Sequence, residues 1–412
     1  MTIQPPPAGP TRVRGSVLTP TATGRVTLRD DAVVVLRNGR VDAVRAPIAG
    51  DPPATDLLLL PGFVDLHCHW PQSHVRGQFA GALLPWLRES IWPAEAAFSQ
   101  DDEARRRAAT FVSALLRAGT TAGMFFGPPF LAASLRFLDV APHGMIDGPA
   151  MMEVNCPSAL QTPAGEMIAA IARLPDATRR RLTIAPRFAP NLTPAGLSAC
   201  GLAATSLRLR AQSHLSENLD EVAWVGQLFP EANSYTDVYD RAGLLGPHVV
   251  MAHGVHLSDG ELARLAETGT TIAHCPTSNE ALGSGRMPVE RLRAAGVPWV
   301  LATDVGAGPQ LSQLHVMATF LAQHAAAGVT VTAVEALERA TSIPGAWLAK
   351  GDPALAGLGT LGQNAPAHMT AFARPQGDDP EAVLRGLLAQ GGPSYESAAR
   401  AVWSWGAQVV GA

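Results

Sequence analysis

The stretch Leu57–His69, LLLLPGFVDLHCH, closes an apolar run with two histidines that are one residue apart. Alternate residues of a strand point to the same side, so His67 and His69 can direct two imidazoles at one point while Cys68 faces away. Two nitrogens placed in this way form half of a metal site. For an isolated His-x-His sequence, a pair of core histidines is an equally good interpretation. The rest of the chain has to decide between a metal site and core histidines.

From Pro61 to Lys350, short apolar stretches alternate with helical stretches rich in Ala, Leu, Arg and Glu, which predicts βα units with a parallel sheet. The segment Ser99–Gly119 is typical of these helices, with apolar residues at helical spacing and a glycine at its end. Eight strands over roughly 290 residues indicate an α/β protein with a TIM-like (β/α)8 barrel. The predicted strands are residues 63–69, 120–126, 144–153, 182–188, 207–214, 248–254, 270–276 and 298–304.

Residues that can bind a metal stand at the ends of several predicted strands. His67 and His69 end the first strand, and the others are His214, His253 and Asp304 at the ends of the fifth, sixth and eighth. In a (β/α)8 barrel the C-terminal strand ends meet at one mouth, where active sites lie. The sequence therefore predicts that these residues converge on a metal site, and it favours this interpretation over core histidines.

The donor types also indicate which ion is bound. Imidazole nitrogen together with carboxylate oxygen suits zinc, with iron as the alternative, better than calcium or magnesium. Such an ion lowers the pKa of a bound water from about 15.7 to about 7, so we expect hydrolytic chemistry. Related barrels can hold two metals bridged by a carbamylated lysine on a middle strand. Because the only lysine, Lys350, follows the last barrel strand, the sequence predicts a single metal ion per subunit.

Three residues at the mouth are candidates for proton transfer. Asp304 can bind the ion and take a proton from water, and its alternative role is that of a helix N-cap. Glu217, three residues after His214 in HLSE, can move protons to a substrate, whereas its alternative role is an interaction with the helix dipole. His253 can either ligate the ion or hydrogen-bond its water, and the sequence leaves both roles open.

The two ends of the chain flank the predicted barrel with strand-like segments. Val13–Leu60 alternates apolar and polar residues around a tight-turn sequence, Asn38-Gly39, which predicts a few antiparallel strands. Gly359–Pro375 and Trp403–Val410 again indicate strands. We expect these ends to pair into a small β-sandwich beside the barrel. The predicted domains are residues 1–60 and 351–412 for the two parts of the sandwich and residues 61–350 for the catalytic barrel.

Composition excludes several classes of protein. The chain has 412 residues, of which 47% are hydrophobic and 16% charged, so it suits a large core and not a disordered or fibrous protein. A formal net charge of -4 offers no basic excess, so we expect no nucleic-acid partner. Its 4 cysteines include no Cys-x-x-Cys pair, which argues against disulfides and thiolate zinc sites. Without a secretory signal or a long apolar run, we expect a cytoplasmic protein with no membrane partner.

Five strings carry a resemblance to a known family: PGFVDLHCH, QSHLSENLDEVAW, VVMAHGVHLS, IAHCPTSN and LATDV. From about Pro61 to about Thr341 the chain resembles the amidohydrolase superfamily and, more narrowly, the guanine deaminase family. The resemblance implies a proton-shuttling glutamate at Glu217, a histidine near the metal-bound water at His253, and a homodimer. It also implies a single zinc ion bound by His67, His69, His214 and Asp304.

The purine-binding residues of that family correspond to Gln72 in HWPQ and to Arg187 and Phe188 in PRF. Their chemistry suits this role, because arginine is a permanent donor for a purine carbonyl and phenylalanine offers an aromatic face. Glutamine can both donate and accept at a ring edge. Taken alone, Phe188 is more typical of a core residue and Arg187 of a surface ion-pair partner.

The reaction implied by the resemblance is hydrolytic deamination of guanine to xanthine and ammonia, a step of purine catabolism or salvage, by attack of metal-bound hydroxide on C2. Glu217 would protonate the ring nitrogen and Asp304 would accept the water proton. Trp70 and Glu280 depart from the family pattern and leave room for another aminated heterocycle as substrate, such as a pterin, a modified purine or a triazine. A non-catalytic binding protein on the same fold is the third interpretation, and the complete ligand set argues against it.

Overall fold

Two sheets organise the chain in the computed structural model, which describes residues 9–21, 24–78 and 83–411. Seven strands from the two ends of the chain form one sheet, and eight from its middle form the other. The strands are β1 (Thr11–Pro20), β2 (Val26–Arg37), β3 (Arg40–Arg45), β4 (Leu57–Pro61), β5 (Phe63–Asp65), β6 (Thr120–Gly127), β7 (Met145–Met151), β8 (Thr183–Pro186), β9 (Arg210–Leu215), β10 (Val249–His253), β11 (Thr271–His274), β12 (Trp299–Leu301), β13 (Met369–Ala373), β14 (Ala401–Ser404) and β15 (Ala407–Val410).

Most of the longer helices connect strands of the middle sheet, and no helix in the described ranges is both long enough and apolar enough to cross a membrane. A π-helical stretch, Leu87–Ile91, joins the first two helices. The helices are α1 (Leu83–Trp86), α2 (Trp92–Ala96), α3 (Asp101–Arg117), α4 (Leu131–Val140), α5 (Ala164–Ala172), α6 (Asp176–Arg179), α7 (Pro194–Ser206), α8 (Leu219–Leu228), α9 (Tyr235–Arg241), α10 (Asp259–Thr268), α11 (Pro276–Ala281), α12 (Val289–Ala295), α13 (Gln313–Ala326), α14 (Ala333–Ala340), α15 (Ser342–Ala349) and α16 (Pro380–Leu388).

The middle sheet is the predicted barrel. Strands β5 to β12 lie side by side in chain order and pair in parallel, which confirms the (β/α)8 fold. Backbone hydrogen bonds close the ring, because the N–H of Asp304 donates to the carbonyl of His67 over 2.9 Å and that of His69 to the carbonyl of Val305 over 2.5 Å. β5 is shorter than predicted, since the Asp65 carboxylate accepts the His67 N–H over 3.1 Å just after the strand.

Helix α3 shows how the sequence forms these connections. It occupies most of the predicted segment Ser99–Gly119, and its buried residues, including Phe111 and Leu115, follow helical spacing. Acidic residues fill its first turn, where they complement the helix dipole. Gly119, with φ +91, then turns the chain into β6. The helix therefore begins and ends where its local sequence predicts.

The barrel interior is packed at one end. Val64, Met124 and Val250 belong to a buried apolar cluster that also contains Trp347 and Leu348 of α15. Such layers of inward side chains make a barrel a solid core and not a pore. The polar residues that follow the strands lie at the opposite mouth, which is where a site can form.

The second sheet joins the two ends of the chain, as predicted. Its strand order is β15-β14-β13-β4-β1-β2-β3, and β13 pairs with β4 through Met369 and Pro61. Asn38 and Gly39 form the predicted hairpin turn, with φ of 50 and 76. The expectation of antiparallel strands only is wrong for one pair, because β1 and β4 are parallel. Residues 46–56 return the chain from the edge strand β3 to the other side of β1, so that β4 runs in the same direction as β1.

The C-terminal part of the second sheet contains less strand than predicted. Within the predicted strand segment Gly359–Pro375, only β13 is extended, and the residues before it form turns and loop. The domain limits between residues 60 and 61 and between residues 350 and 351 stay a prediction.

Candidate metal centre and substrate cavity

The four predicted metal ligands lie together at the barrel mouth, each with one donor atom within 4.8 Å of the others. Asp304 Oδ1 is 3.2 Å from His67 Nε2 and 3.5 Å from His69 Nε2. His69 Nε2 lies 3.1 Å from His214 Nε2. Residues that are far apart in sequence therefore present three imidazoles and one carboxylate to a common point.

The Asp65 side chain holds the segments that carry the first and last of these ligands. Asp65 is fully buried, and its carboxylate accepts the N–H of His67 over 3.1 Å and the hydroxyl of Thr303 over 2.5 Å. Burial raises the pKa of Asp65 to about 7. Asp304 follows Thr303 with φ +49, a left-handed conformation that is unusual outside glycine, asparagine and aspartate. Asp65 therefore ties the end of β5 to the segment after β12.

A second set of contacts orients His214 near the end of β9. Its Nδ1 lies 2.5 Å from the carbonyl of Arg187, and because a carbonyl only accepts, Nδ1 carries the proton. Nε2 is then the lone-pair nitrogen directed at the other ligands. The Tyr239 hydroxyl donates to the carbonyl of His214 over 2.9 Å. These bonds fix both the tautomer and the direction of the imidazole.

The buried histidines fit a cation. Both ring nitrogens of His67 are buried, and neither makes a well-aligned hydrogen bond to a described residue, although Nε2 lies 3.2 Å from Asp304 Oδ1. Burial lowers the pKa of His67 and places those of His69 and His214 well below the ordinary value, so all three are neutral donors. Burial acts to raise the pKa of Asp304, but His67, His253 and Ser278 together outweigh it and hold that pKa below its usual range. Neutral imidazoles with a carboxylate form a donor set for zinc or a similar ion.

A second group of three donors shares one of these ligands. His253, Cys275 and Asp304 also lie within 4.8 Å of one another. Burial raises the pKa of the Cys275 thiol well above its ordinary value, and the thiolate is the form that binds metals. We therefore assign the candidate site to the three histidines with Asp304 and not to the cysteine group.

Glu217 and His253 lie beside the ligand cluster. His253 Nε2 is 3.5 Å from Glu217 Oε2 and 3.9 Å from Asp304 Oδ2, and its Nδ1 is 2.9 Å from Asn279 Oδ1. Burial raises the pKa of Glu217 to about 7. Burial also acts to lower the pKa of His253, but the carboxylates of Glu217 and Asp304 outweigh it and raise that pKa. A carboxyl group that titrates near neutral pH can both give and take a proton.

The three predicted purine-binding residues line the same cavity as the ligand cluster. Gln72, Arg187 and Phe188 border it together with His69, His214, Glu217, His253 and Asp304. The ring of Phe188 packs edge-on against Trp224 with centroids 5.9 Å apart. Leu83, Trp86 and Leu87 border the cavity from the helical segment before α2. One cavity therefore joins the metal ligands, a carboxyl group and a polar, aromatic pocket under an apolar roof.

The sequence profile of the amidohydrolase family matches residues 58–351, a range that contains every ligand candidate. The chain belongs to the amidohydrolase family. The guanine deaminase of Escherichia coli (strain K12) is 37% identical over 274 residues, which cover 63% of this chain and 61% of that protein. The probable guanine deaminase of Deinococcus radiodurans is 39% identical over 265 residues, which cover 62% and 60%. The chain spans about three fifths of the length of these curated relatives.

A solved structure extends the similarity to nearly the full length of this chain. Guanine deaminase from C. acetobutylicum, solved with bound guanine in the active site, superposes with a TM-score of 0.85. The superposition covers 97% of this chain and 100% of that chain at 26% sequence identity. The similarity to that structure therefore extends over both sheets of the fold and not over the barrel alone.

Two departures from the family pattern lie outside this amidohydrolase cavity. Trp70 turns away from it, packs against Phe98 and Phe137, and donates its indole N–H to Asp147 over 3.2 Å. Glu280 accepts a hydrogen bond from the Gln323 side chain over 2.9 Å on the exposed side of α11. Neither residue borders the cavity. The positions of Trp70 and Glu280 therefore do not support the expectation that these two residues leave room for another aminated heterocycle.

Sequence reasoning missed two buried glutamates of the cavity region. Glu95 accepts hydrogen bonds from Gln72 over 2.8 Å and from Arg187 over 2.6 Å. Glu221 accepts the backbone N–H groups of Glu217 over 2.9 Å and of Asn218 over 3.3 Å. Asn and Glu three residues apart form a capping box, so a sequence signal existed for Glu221. For Glu95, whose partners are distant in sequence, no local pattern indicates the contacts.

Proposed function

We propose that this amidohydrolase deaminates guanine hydrolytically to xanthine and ammonia. The observation that carries the proposal is the single cavity in which the metal-ligand cluster meets Glu217 and a pocket of purine-binding type. The curated relatives named above and the structure with bound guanine support the same substrate. In the reaction, the bond between C2 and the exocyclic nitrogen breaks and a bond from C2 to a water oxygen forms.

We propose that one zinc ion is bound by three histidines and one aspartate. A zinc ion at this position supplies a water molecule that is acidic enough to act as a nucleophile near neutral pH. The residues of the proposed site are His67, His69, His214 and Asp304.

The protein's own groups move the protons. Asp304, ionised at neutral pH because its pKa lies below the usual range, accepts the proton of the attacking water. Glu217, with a pKa of about 7, donates a proton to the purine ring nitrogen next to C2. His253 stands 3.5 Å from Glu217 and 3.9 Å from Asp304, close enough to orient the water between them. The proton held by Asp304 then passes to the amino group, the bond from C2 to that nitrogen breaks to release ammonia, and the proton of the new C2 hydroxyl returns to Glu217.

The remaining pocket residues hold the purine. Arg187 donates to the carbonyl oxygen at C6, and Gln72 donates and accepts at the ring edge. Phe188, fixed by its edge contact with Trp224, packs against the ring face. The apolar roof residues exclude water from the reacting atoms. A cytoplasmic homodimer is the assembly and compartment that we propose with this activity.

The experiment that tests the proposal measures ammonia release from guanine, other aminopurines, pterins and aminotriazines by purified, zinc-loaded protein. We expect release from guanine with xanthine as product, abolished by a chelator and restored by zinc. Release from another heterocycle alone would keep the mechanism and overturn the substrate. Absence of release from all of them, with zinc bound, would overturn the deaminase and favour a binding protein.

A further inference from the structure

Glu95 is a buried carboxylate that no part of the proposed mechanism uses. It lies on α2, in the helical segment that borders the cavity through Leu83, Trp86 and Leu87, and its exposed fraction is 0%. A carboxylate removed from water is costly unless charged or hydrogen-bonding partners compensate it. The partners of Glu95 therefore show what its position achieves.

Both oxygens of Glu95 bind cavity residues. Oε1 accepts from the Gln72 amide over 2.8 Å, and Oε2 accepts from Arg187 Nη1 over 2.6 Å in an ion pair that is almost fully buried. The N–H of Gly306 donates to the other end of the Gln72 amide, Oε1, over 3.3 Å. The Gln72 side chain is thus held at both ends, which fixes which way its amide faces.

The ion pair also sets the charge of the pocket. Arg187 uses Nη1 for Glu95, and no hydrogen bond from the described residues engages its other guanidinium nitrogens. Those nitrogens remain available to a ligand at the cavity. Because Glu95 compensates the positive charge, the Arg187 site suits a neutral carbonyl oxygen, whereas an uncompensated guanidinium would attract an anion.

We propose that Glu95 is the positioning residue that makes this cavity specific for neutral purines with a carbonyl at C6. Glu95 orients the Gln72 amide and directs the free N–H groups of Arg187. Through the same two hydrogen bonds it joins the roof segment, the helical residues 83–96, to the barrel. The inference rests on the proposed function and adds to it a residue that touches neither the substrate nor the metal ligands. Its effect should appear in the discrimination between ligands and not in zinc binding.

Hypoxanthine and unsubstituted purine are the probes, since both lack the amino group that would be removed and they differ at C6 by the carbonyl. Calorimetric titration of the zinc-loaded wild type should give an affinity for hypoxanthine that is about tenfold or more above that for purine. In Glu95→Gln the ratio should fall to about threefold or less, because the ion pair that aims Arg187 is lost. With guanine, the same variant should show a raised KM and a smaller change in kcat.

Two further variants separate positioning from general damage to the fold. Glu89→Gln changes an exposed glutamate of the same helical segment and should keep the wild-type ratio. If Glu95→Gln unfolds because Arg187 is left uncompensated, the double variant Glu95→Gln with Arg187→Gln removes both charges and should fold. That double variant should bind zinc as the wild type does and bind hypoxanthine and purine about equally.

The possible results distinguish the two proposals. A Glu95→Gln protein that folds, binds zinc and keeps the wild-type hypoxanthine to purine ratio would overturn the role of Glu95 and leave the deaminase intact. The double variant overturns that role in the same way if it keeps the wild-type ratio. A wild type without guanine turnover would overturn the proposed function itself.

Discussion

The metal ligands extend from strand ends that backbone hydrogen bonds join, whereas two of the three purine-binding candidates are held by a side chain from helix α2. We call the four metal-ligand candidates, His67, His69, His214 and Asp304, the metal half of the site. There the N–H of Asp304 donates to the carbonyl of His67, and Asp65 binds both His67 and Thr303. We call the three purine-binding candidates, Gln72, Arg187 and Phe188, the purine half. There Gln72 and Arg187 are held by hydrogen bonds to Glu95. The first half is therefore part of the barrel framework, and the second is an arrangement of side chains placed on it.

This difference has a consequence for mutation. Small shifts of other residues cannot compensate for the loss of a metal ligand, because the backbone of two strands fixes the position of each ligand. A purine-binding side chain can be weakened in steps, since its neighbours still exclude water and still supply the remaining contacts. Substitutions in the metal half should therefore act on metal content and turnover together, and those in the purine half on affinity and specificity.

The largest effect is expected for Asp304→Ala. Loss of the carboxylate removes one ligand and the proton acceptor at once, so zinc should dissociate on dialysis and guanine turnover should fall by at least about 10³-fold. Metal analysis and ammonia release measure the two losses. Asp102→Ala, an exposed position on α3, is the matched control. Wild-type zinc content with wild-type turnover would remove Asp304 from the site.

Glu217→Gln should separate chemistry from metal binding. The amide keeps the size of the side chain but cannot transfer a proton, so turnover should drop by about 10² to 10⁴-fold while zinc content stays at the wild-type value. Glu217 contacts His253 and Ser284 and is not one of the four predicted metal ligands. We therefore expect metal binding to stay intact. Full activity in this variant contradicts the proton-transfer role.

Arg187→Ala tests the purine half. We expect KM for guanine to rise about 10-fold to 100-fold, with zinc content unchanged, because a donor to the carbonyl is lost and Glu95 is left unpaired. Steady-state kinetics and metal analysis give both values. Arg88→Ala, an exposed position in the same roof segment as Glu95, should behave as the wild type. An unchanged KM for guanine would count against the pocket assignment.

Asp147 offers a smaller effect, on stability alone. Burial raises its pKa from the ordinary value of 3.8 to about 7, as it does for Glu217, but Asp147 binds Trp70 outside the cavity. At a pH between these two pKa values, Asp147 keeps its proton in the folded protein but has released it in the unfolded chain. The free energy of unfolding contributed by this group is therefore complete at low pH and is lost as the pH rises through about 7.

Asp147→Asn, which is neutral at every pH, should remove that contribution. In denaturant unfolding from about pH 5 to about pH 7, the free energy of unfolding of the variant should fall less steeply with pH than that of the wild type. The difference in slope should be up to about 1.4 kcal/mol per pH unit. Asp102→Asn is the exposed control. Equal slopes in wild type and Asp147→Asn would show that Asp147 is ionised in the folded protein.

The smallest effect is expected for Glu280→Leu. Its carboxylate contacts Gln323 and does not border the cavity, so kcat/KM for guanine should stay within about twofold of the wild-type value. A panel of aminated heterocycles should give the same order of preference as the wild type. A change in that order would place Glu280 in control of the substrate and would revive the alternative heterocycle.

The barrel and the metal half could be predicted because their information is local. Apolar strands of three to eight residues that alternate with helices indicate the βα units, and the ligand-type residues at or just after the ends of β5, β9, β10 and β12 indicate the edge where ligands converge. His67, His69, His214 and Asp304 were found in this way, and the structure brings them together. Their role as zinc ligands stays a proposal until the metal is measured.

The contacts of buried carboxylates could not be predicted in the same way. Asp65 joins the start of the barrel to Thr303, and Glu95 joins α2 to residues after β5 and β8. The orientation of Trp70 was equally open, because a residue next to a ligand can face the cavity or the helices behind the strand. These features depend on which residues meet across the fold.

By itself, the sequence determined the alternation of strands and helices, the hairpin at Asn38 and the positions of the strand-end ligands, since each follows from periodicity or turn chemistry within a few residues. Only the tertiary structure decided the parallel pairing of β1 with β4, the burial of Glu95 between Gln72 and Arg187, and the exclusion of Trp70 and Glu280 from the cavity. The physical reason is that desolvation and charge compensation depend on neighbours from distant segments, which become neighbours only when the barrel closes.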